Sequence, residues 1–249
     1  MKRIGVFLLL TTSHGWSQMP QTPWTLRPGW NSPTPAQQDW FDAMLAATAP
    51  LPKSEAAAAS EASVSLARLR HNPPRKAVRL FLEGVKLGRA GKWPGAAADF
   101  ERATALDPQF SEAYGNLGTS LAAMGQFEQA ISDFRHAIEL DPATAAHHLN
   151  LAYSLMRLNR GTDAGPEARA AVALDPTNAK AHYLLGVLFA QRAESRNFAI
   201  QHLAYAGREL PEAHYVLAQI YSSEGDARAA SREIEQYRKQ PEYREKKAR

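Results

Sequence analysis

The sequence of 249 residues contains no cysteine, which excludes disulfide bonds, thiolate metal sites and a lipid anchor on an N-terminal cysteine. It has no segment in which apolar and polar residues alternate as they do in half-buried β-strands. The Gly-x-Ser-x-Gly, phosphate-loop, His-Glu-x-x-His and dinucleotide-binding motifs of common active sites are also missing. Scattered carboxylates such as Glu128, Asp133 and Glu139 are expected at solvated helical positions. We therefore predict a protein that is not an enzyme, with no cofactor and no catalytic residue.

The positive charge of the chain is concentrated at its two ends. The formal net charge is +4, and residues 1–76 hold eight Lys or Arg against four Asp or Glu. Residues 238–249 hold six against two, so the long central part is net negative. No segment interleaves basic and aromatic residues in the manner of nucleic-acid-binding proteins, and no nucleic-acid partner is predicted.

An internal repeat is the main feature of the central part. Asp-Pro pairs occur at Asp107-Pro108, Asp141-Pro142 and Asp175-Pro176, each 34 residues after the last. Each pair follows an alanine-rich apolar run and precedes another helical run. A fixed period of this length is typical of stacked supersecondary units and not of a single globular core.

Residues 111–144 form the most regular of these units. Its first helical segment is followed by Gly125, and its second carries apolar residues at spacings of three and four, the pattern of an amphipathic helix. Pro142 cannot continue the second helix. Small residues such as Gly118 and Ala130 are expected to let the two helix backbones approach closely. The positions on which this unit is recognised are Leu117, Gly118, Gly125, Ala130, Phe134, Ala137 and Pro142.

These residue types at this spacing resemble the tetratricopeptide repeat. The resemblance covers residues 77–241 as five units, with boundaries at 77–110, 111–144, 145–178, 179–210 and 211–241. It implies an all-α, right-handed superhelical solenoid of about five helix pairs.

Three local departures from the repeat carry predictions. Asn159 replaces the turn glycine in the third unit. Gly165-Pro166 falls where the second helix of that unit should begin, so we expect this helix to be short or to start late. In the fourth unit the second-helix residues fall one position late, which predicts one inserted residue in the turn around Ser195.

Residues 1–17 resemble a secretory signal peptide. Lys2-Arg3 precede an apolar segment, residues 4–10, that is too short to span a bilayer, and small residues follow it. We expect cleavage after Ser17, or else after Gly15, with export to the periplasm or medium and no stable membrane insertion afterwards. A mis-assigned start or a buried segment is the alternative interpretation.

A Pro-, Trp- and Ala-rich leader, residues 18–76, is expected between the signal peptide and the repeats, with short helices in it. Four of the five tryptophans lie in residues 1–41, an unusual aromatic content for a disordered segment. The leader is predicted either to cap the first repeat or to dock into a groove of this chain or of a partner. Residues 242–249 are expected to be a basic, solvated tail.

In tetratricopeptide arrays the first helices of successive units line a concave groove, and the resemblance implies the same here. The groove would suit an apolar or amphipathic peptide held by rigid aromatic side chains. Packing between neighbouring helices is the alternative role for each of these positions. The predicted partner-binding residues are Phe81, Val85, Arg89, Leu149, Asn150, Tyr153, Met156, Arg157, Lys180, Tyr183, Val187 and Tyr215. Further groove-facing positions are Glu112, Gly115, Thr119, Glu212 and Gln219.

Two binding chemistries of such arrays are not favoured. Asn150 and Lys180 fit a clamp for a C-terminal carboxylate, but its other polar positions are missing. His148, His182 and His214 recur in successive units, which stand on the order of 10 Å apart, too far to share one metal. The sequence therefore predicts no metal site and a scaffold or adaptor that binds a peptide or protein partner of unknown identity. The alternative is a structural or assembly subunit of a cell-envelope complex.

Overall fold

A computed structural model describes residues 71–239 of the chain. The predicted signal peptide, the leader up to residue 70 and the basic tail lie outside the described residues. Within the described range there are ten α-helices and no strand. The helices are α1 Arg75–Arg89, α2 Trp93–Leu106, α3 Ser111–Ala123, α4 Phe127–Leu140, α5 Ala145–Arg157, α6 Gly161–Leu174, α7 Ala179–Ala190, α8 Arg196–Ala206, α9 Glu212–Ser223 and α10 Ala227–Arg238.

The helices form five successive pairs that stack in chain order. Each helix packs mainly against its own partner and against the helix before or after it in the sequence. The buried apolar side chains consequently form a long seam from α2 to α9 and a second, smaller cluster where α1, α2 and α3 meet, and not a single centre. The predicted all-α solenoid of helix pairs is confirmed. No helix in the described part of the chain is long and apolar enough to cross a bilayer.

Glycines in the first helices allow close contact with the second helices. A Cβ added at Gly84 would lie 2.8 Å from the Phe100 ring. A Cβ added at Gly186 would likewise lie 2.7 Å from Leu203 Cγ. The prediction that small residues permit close helix approach holds in both pairs.

Left-handed backbone ends the first helices of four units. Gly91, Gly125 and Gly225 have φ values of 69°, 77° and 81°, and Asn159 has φ 59°. Glycine enters this region without a steric cost, and asparagine is among the few other residues that tolerate it. Asn159 therefore takes over the turn role of glycine in the third unit, as predicted.

The prediction of a short or late second helix in the third unit is wrong. Helix α6 begins at Gly161 and contains Pro166. Proline removes one backbone hydrogen bond in the second turn, but packing compensates because Ala164, Ala168 and Ala171 are all fully buried on one face. Tertiary contact thus overrides the local preference against helix.

The fourth unit has a longer connection between its two helices. A 3-10 turn, Ala193–Ser195, separates α7 from α8. The corresponding turns in the other units lack such an element. The irregularity falls at the place where the sequence predicts an inserted residue.

Candidate functional site: the inner face of the first helices

The first helices α3, α5 and α7 are buried over most of their surface. Every residue in the ranges 115–122 and 147–156 is buried. Ten consecutive buried residues span nearly three helical turns, so α5 is covered on every face. We use the name inner face for the side of the first helices α1, α3, α5, α7 and α9 on which the sequence predicts the groove. This face is therefore closely packed, and only a small part of it is accessible.

The predicted partner-binding residues divide into two groups by exposure. The buried members are Leu149, Asn150, Tyr153, Met156, Tyr183, Val187 and Tyr215. The accessible members are the half-buried Phe81, Val85, Arg157 and Lys180 and the exposed Arg89. Aromatic side chains that the sequence predicts as contact points for a partner thus lie mostly within the packing, and charged side chains dominate what is accessible.

Arg157 is held by contacts with two aromatic side chains. Its guanidinium lies 4.4 Å from the centre of the Phe127 ring and donates a hydrogen bond of 2.5 Å to the Tyr153 hydroxyl. A cation over an aromatic face is attracted by the ring quadrupole. Arg157 is therefore held in place at the end of α5, with a positive charge at the border of the inner face.

Asn150 and Lys180 lie on successive first helices, α5 and α7. Asn150 donates a 3.2 Å hydrogen bond to Thr119 Oγ1, which ties α5 to α3. Burial lowers the pKa of the Lys180 ammonium, because a charged amine loses hydration there. Asn150 thus acts in the scaffold, and Lys180 places a partly desolvated cation on the next inner helix.

A histidine that the sequence pattern did not single out lies between α3 and α5. The His147 ring occupies the space beside Gly115, where an added Cβ would overlap it. Its Nε2 is 3.2 Å from Ser111 Oγ, which donates its own hydrogen to the Ala137 carbonyl at 3.0 Å. Ser111 must therefore accept from His147 Nε2–H, which fixes the tautomer. Gly115, predicted to face the groove, instead provides room for this ring.

Burial lowers the pKa of His147 to about 4 and is the largest cause of the shift. The nearby Asp141 carboxylate opposes the shift, and His148 adds to it. His147 is thus neutral at physiological pH. In the sequence, Ser111 and Gly115 of the preceding unit are the residues that indicate this site. Their relation to His147 is visible only when the helices are stacked.

The recurring histidines each connect three parts of the array. His148 Nδ1 lies 2.7 Å from Glu167, and His214 Nδ1 lies 2.7 Å from Glu233. In both rings Nε2 lies 3.1 Å from a carbonyl of the preceding loop. Residues 71–239 contain no group of three or more side chains that could hold a metal ion. These histidines therefore fasten the first helix to the second helix and to the loop.

Asp133 on α4 does not occupy a solvated position, contrary to expectation. It is half-buried in a cleft that Tyr114 and His136 also line. Burial, followed by the nearby Glu101 carboxylate, raises the pKa of Asp133 to about 6. Tyr114 packs edge-on against His136, with ring centres 4.3 Å apart. In the second unit, Tyr114 therefore takes the position that His148 has in the third unit, and Asp133 takes the position of Glu167.

The fold and inner face together define a helical-repeat solenoid whose first helices share one side. The sequence profile of the tetratricopeptide repeat matches residues 81–123, 116–179 and 152–206, which together cover half of the chain. The chain belongs to the tetratricopeptide repeat family, whose members are protein-interaction scaffolds. No curated protein matches the chain.

Solved structures share the fold at low sequence identity. MamA from Desulfovibrio magneticus RS-1, solved from residue 41 to its end, aligns with a TM-score of 0.61 at 20% identity, over 68% of this chain and 96% of the solved chain. YrrB, described as a TPR protein with an unusual peptide-binding site, aligns with a TM-score of 0.56 at 18% identity, over 66% of this chain and 85% of the solved YrrB chain. PilW, described as a widely conserved type IV pilus biogenesis factor, aligns with a TM-score of 0.60 at 21% identity, over 67% of this chain and 78% of the solved PilW chain. Similarity at this level shows a common fold.

Proposed function

We propose that the protein is a non-catalytic adaptor that binds a segment of a partner protein along the inner face of its first helices. The observation that carries this proposal is the positioned guanidinium of Arg157, held by Phe127 and Tyr153 beside the accessible part of that face. A side chain that is already ordered loses little conformational entropy when it binds. The description of YrrB as a peptide-binding TPR protein supports a peptide as the partner.

The accessible charges indicate what such a segment contains. Arg89, Arg157 and Lys180 supply positive charge on three different first helices, and Glu112 and Glu212 supply negative charge. Half-buried Phe81 and Val85 add an apolar part near the first unit. Because this surface carries charges of both signs beside an apolar part, it suits an amphipathic segment that is itself charged.

We further propose that the mature protein acts outside the cytoplasm, because its N-terminal sequence has the charged start, apolar core and small residues of a signal peptide. PilW, described as a type IV pilus biogenesis factor, has the same fold. Mass spectrometry of the exported protein tests this part. An N-terminus after residue 15 or 17 supports it, and an intact Met1 on exported protein contradicts it.

A capture experiment tests the binding proposal. The mature chain is used to pull down partners, which are identified by mass spectrometry, in parallel with Arg157→Gln and Arg169→Gln. Arg169 is an exposed arginine on α6, the second helix of the same unit, so it is a matched control for charge. We expect Arg157→Gln to reduce capture of a specific protein by about tenfold, the loss of one charge-assisted contact, and Arg169→Gln to leave it unchanged.

Circular dichroism of both variants establishes that the array is still folded. Equal capture by wild type and Arg157→Gln contradicts binding at this face. The size of the mature protein in solution separates the adaptor from the alternative: a monomer favours the adaptor, and a stable oligomer favours an envelope assembly subunit.

A further inference from the structure

The histidines of the third and fifth units have two acceptors each. In His148 one ring nitrogen faces the Glu167 carboxylate and the other faces the Pro142 carbonyl. In His214 the corresponding acceptors are Glu233 and the Gly207 carbonyl. Both contacts are made only when both nitrogens carry hydrogen, so the protonated imidazolium satisfies every partner of these rings.

The fourth unit has a different second partner. His182 Nε2 lies 3.1 Å from the Pro176 carbonyl, as in the other units, but its Nδ1 lies 2.9 Å from Nδ1 of His202 on α8. The carbonyl requires a hydrogen on His182 Nε2. A single hydrogen, carried by His202, then lies between the two Nδ1 atoms. A proton on His202 Nε2 leaves this hydrogen bond in place, but protonation of both rings puts a hydrogen on each Nδ1 and places two N–H groups against each other.

The surroundings of this pair offer no carboxylate to accept a second hydrogen in the described contacts. Tyr205 of α8 stacks on His182 at 4.1 Å, and Phe189 of α7 stacks on His202 at 5.8 Å. The Arg208 guanidinium lies 5.1 Å from the centre of the Tyr205 ring, so the described contacts place a positive charge beside this stack. Unlike Glu167 and Glu233 in the neighbouring units, the rings and the Arg208 cation that the described contacts show here supply no negative charge to compensate positive charge on the pair.

We propose that the fourth helix pair is an acid-sensitive joint of the solenoid, in which protonation of both His182 and His202 separates α8 from α7. The third and fifth pairs keep their corresponding contacts in mild acid because Glu167 and Glu233 take the place of His202. Neighbouring pairs in a solenoid contact only one another, so one joint can loosen while the rest stays folded. Lys180 and Tyr183 lie on α7, and the further consequence that acid alters partner binding rests on the proposed function.

The direction of the pH effect follows from the environment of His202. Burial, with a smaller contribution from His182, lowers the pKa of the His202 imidazole. A histidine with a lowered pKa in the folded state binds its proton more readily when the joint is open. The stability of the joint is therefore complete above the ordinary histidine pKa of about 6.5 and is lost as the pH falls below it.

Hydrogen exchange of backbone amides, corrected for intrinsic rates, tests the proposal on the full chain at about pH 7.5 and about pH 5.5. We expect protection of α8 to fall about tenfold more than protection of α10, because an ordinary imidazole in the opened joint gains about tenfold in proton binding one pH unit below its pKa. His202→Glu gives the fourth unit the acceptor of its neighbours and is expected to remove the difference. Glu233→His places the histidine pair in the fifth unit and is expected to transfer the acid sensitivity to α10.

Equal losses of protection in α8 and α10 of the wild type overturn the proposal. So does an undiminished loss in folded His202→Glu. If His202→Glu does not fold, Glu233→His decides alone, and an α10 that stays as protected as in the wild type overturns the proposal. His147 in α5 is present in every variant, so its titration contributes equally to all of them and does not affect the comparison between α8 and α10. No partner is needed, so failure of the adaptor proposal leaves this result interpretable.

Discussion

The aromatic ring of Phe134 on α4 lies directly against the backbone of Gly118 on α3. A Cβ at Gly118 would be only 2.8 Å from the nearest ring carbon, closer than such atoms approach in folded proteins. Phe134 is fully buried, so the ring has little freedom to move away. The glycine and the phenylalanine therefore act as one packing unit that sets the separation of the two helices.

We expect Gly118→Ala to destabilise the array by about 1–3 kcal/mol, the usual cost of overpacking a well-filled interior. The reason is the clash with Phe134, so the effect should vanish in a Phe134→Ala background. In the third unit the residues at the equivalent positions are Ala152 and Ala168. Urea unfolding of the two single variants and the double variant measures the coupling. Additive losses of stability would show that the ring and the glycine do not interact.

Gly95 provides the control for this substitution. It lies in α2, it is exposed, and the nearest atom to an added Cβ is the flexible end of Leu87 at 3.2 Å. Alanine is a better helix former than glycine, so Gly95→Ala should stabilise the protein by up to about 1 kcal/mol. Opposite signs at Gly118 and Gly95 would separate packing from helix propensity.

Sequence reasoning was sufficient for the features that depend on neighbours along the chain. The helix pairs, the closely packed glycines and the left-handed Asn159 all follow from period and residue type. It was insufficient where a residue's environment is set by other units. Tyr153 and Tyr183 were assigned to a groove from their position in the repeat, yet they are buried, because position gives the direction of a side chain and not what covers it. Pro166 shows the same limit, since buried alanines stabilise a helix that local preference would interrupt.

The turn after α3 provides a second stability test. Gly125 has φ 77°, a conformation that costs an ordinary L-residue about 1–2 kcal/mol. Nothing lies within 4 Å of a Cβ at this position, so Gly125→Ala isolates the backbone cost from any clash. We expect a loss of about 1 kcal/mol in urea unfolding.

Asn159→Gly is the matched comparison, because Asn159 already occupies the same conformation with φ 59°. Glycine relieves the residual strain there but gains more entropy in the unfolded chain, so the net change should be within about 0.5 kcal/mol of zero. A Gly125→Ala protein as stable as wild type would mean that the turn adopts another conformation in solution.

The burial of His147 predicts that the junction between the second and third units weakens in acid. The pKa of His147 is lowered to about 4 in the folded protein, and an unfolded histidine titrates near its ordinary value. Between these two values the unfolded chain binds the proton more readily, so stability falls as the pH drops through this window. At about pH 5 we expect a loss of stability of about 2 kcal/mol relative to about pH 7.5.

His147→Gln retains a side-chain N–H for Ser111 but cannot titrate, so it should lose most of this pH dependence. Urea unfolding combined with amide exchange across α3 and α5 measures the effect locally, and an unchanged pH dependence in His147→Gln would assign the acid sensitivity to other groups.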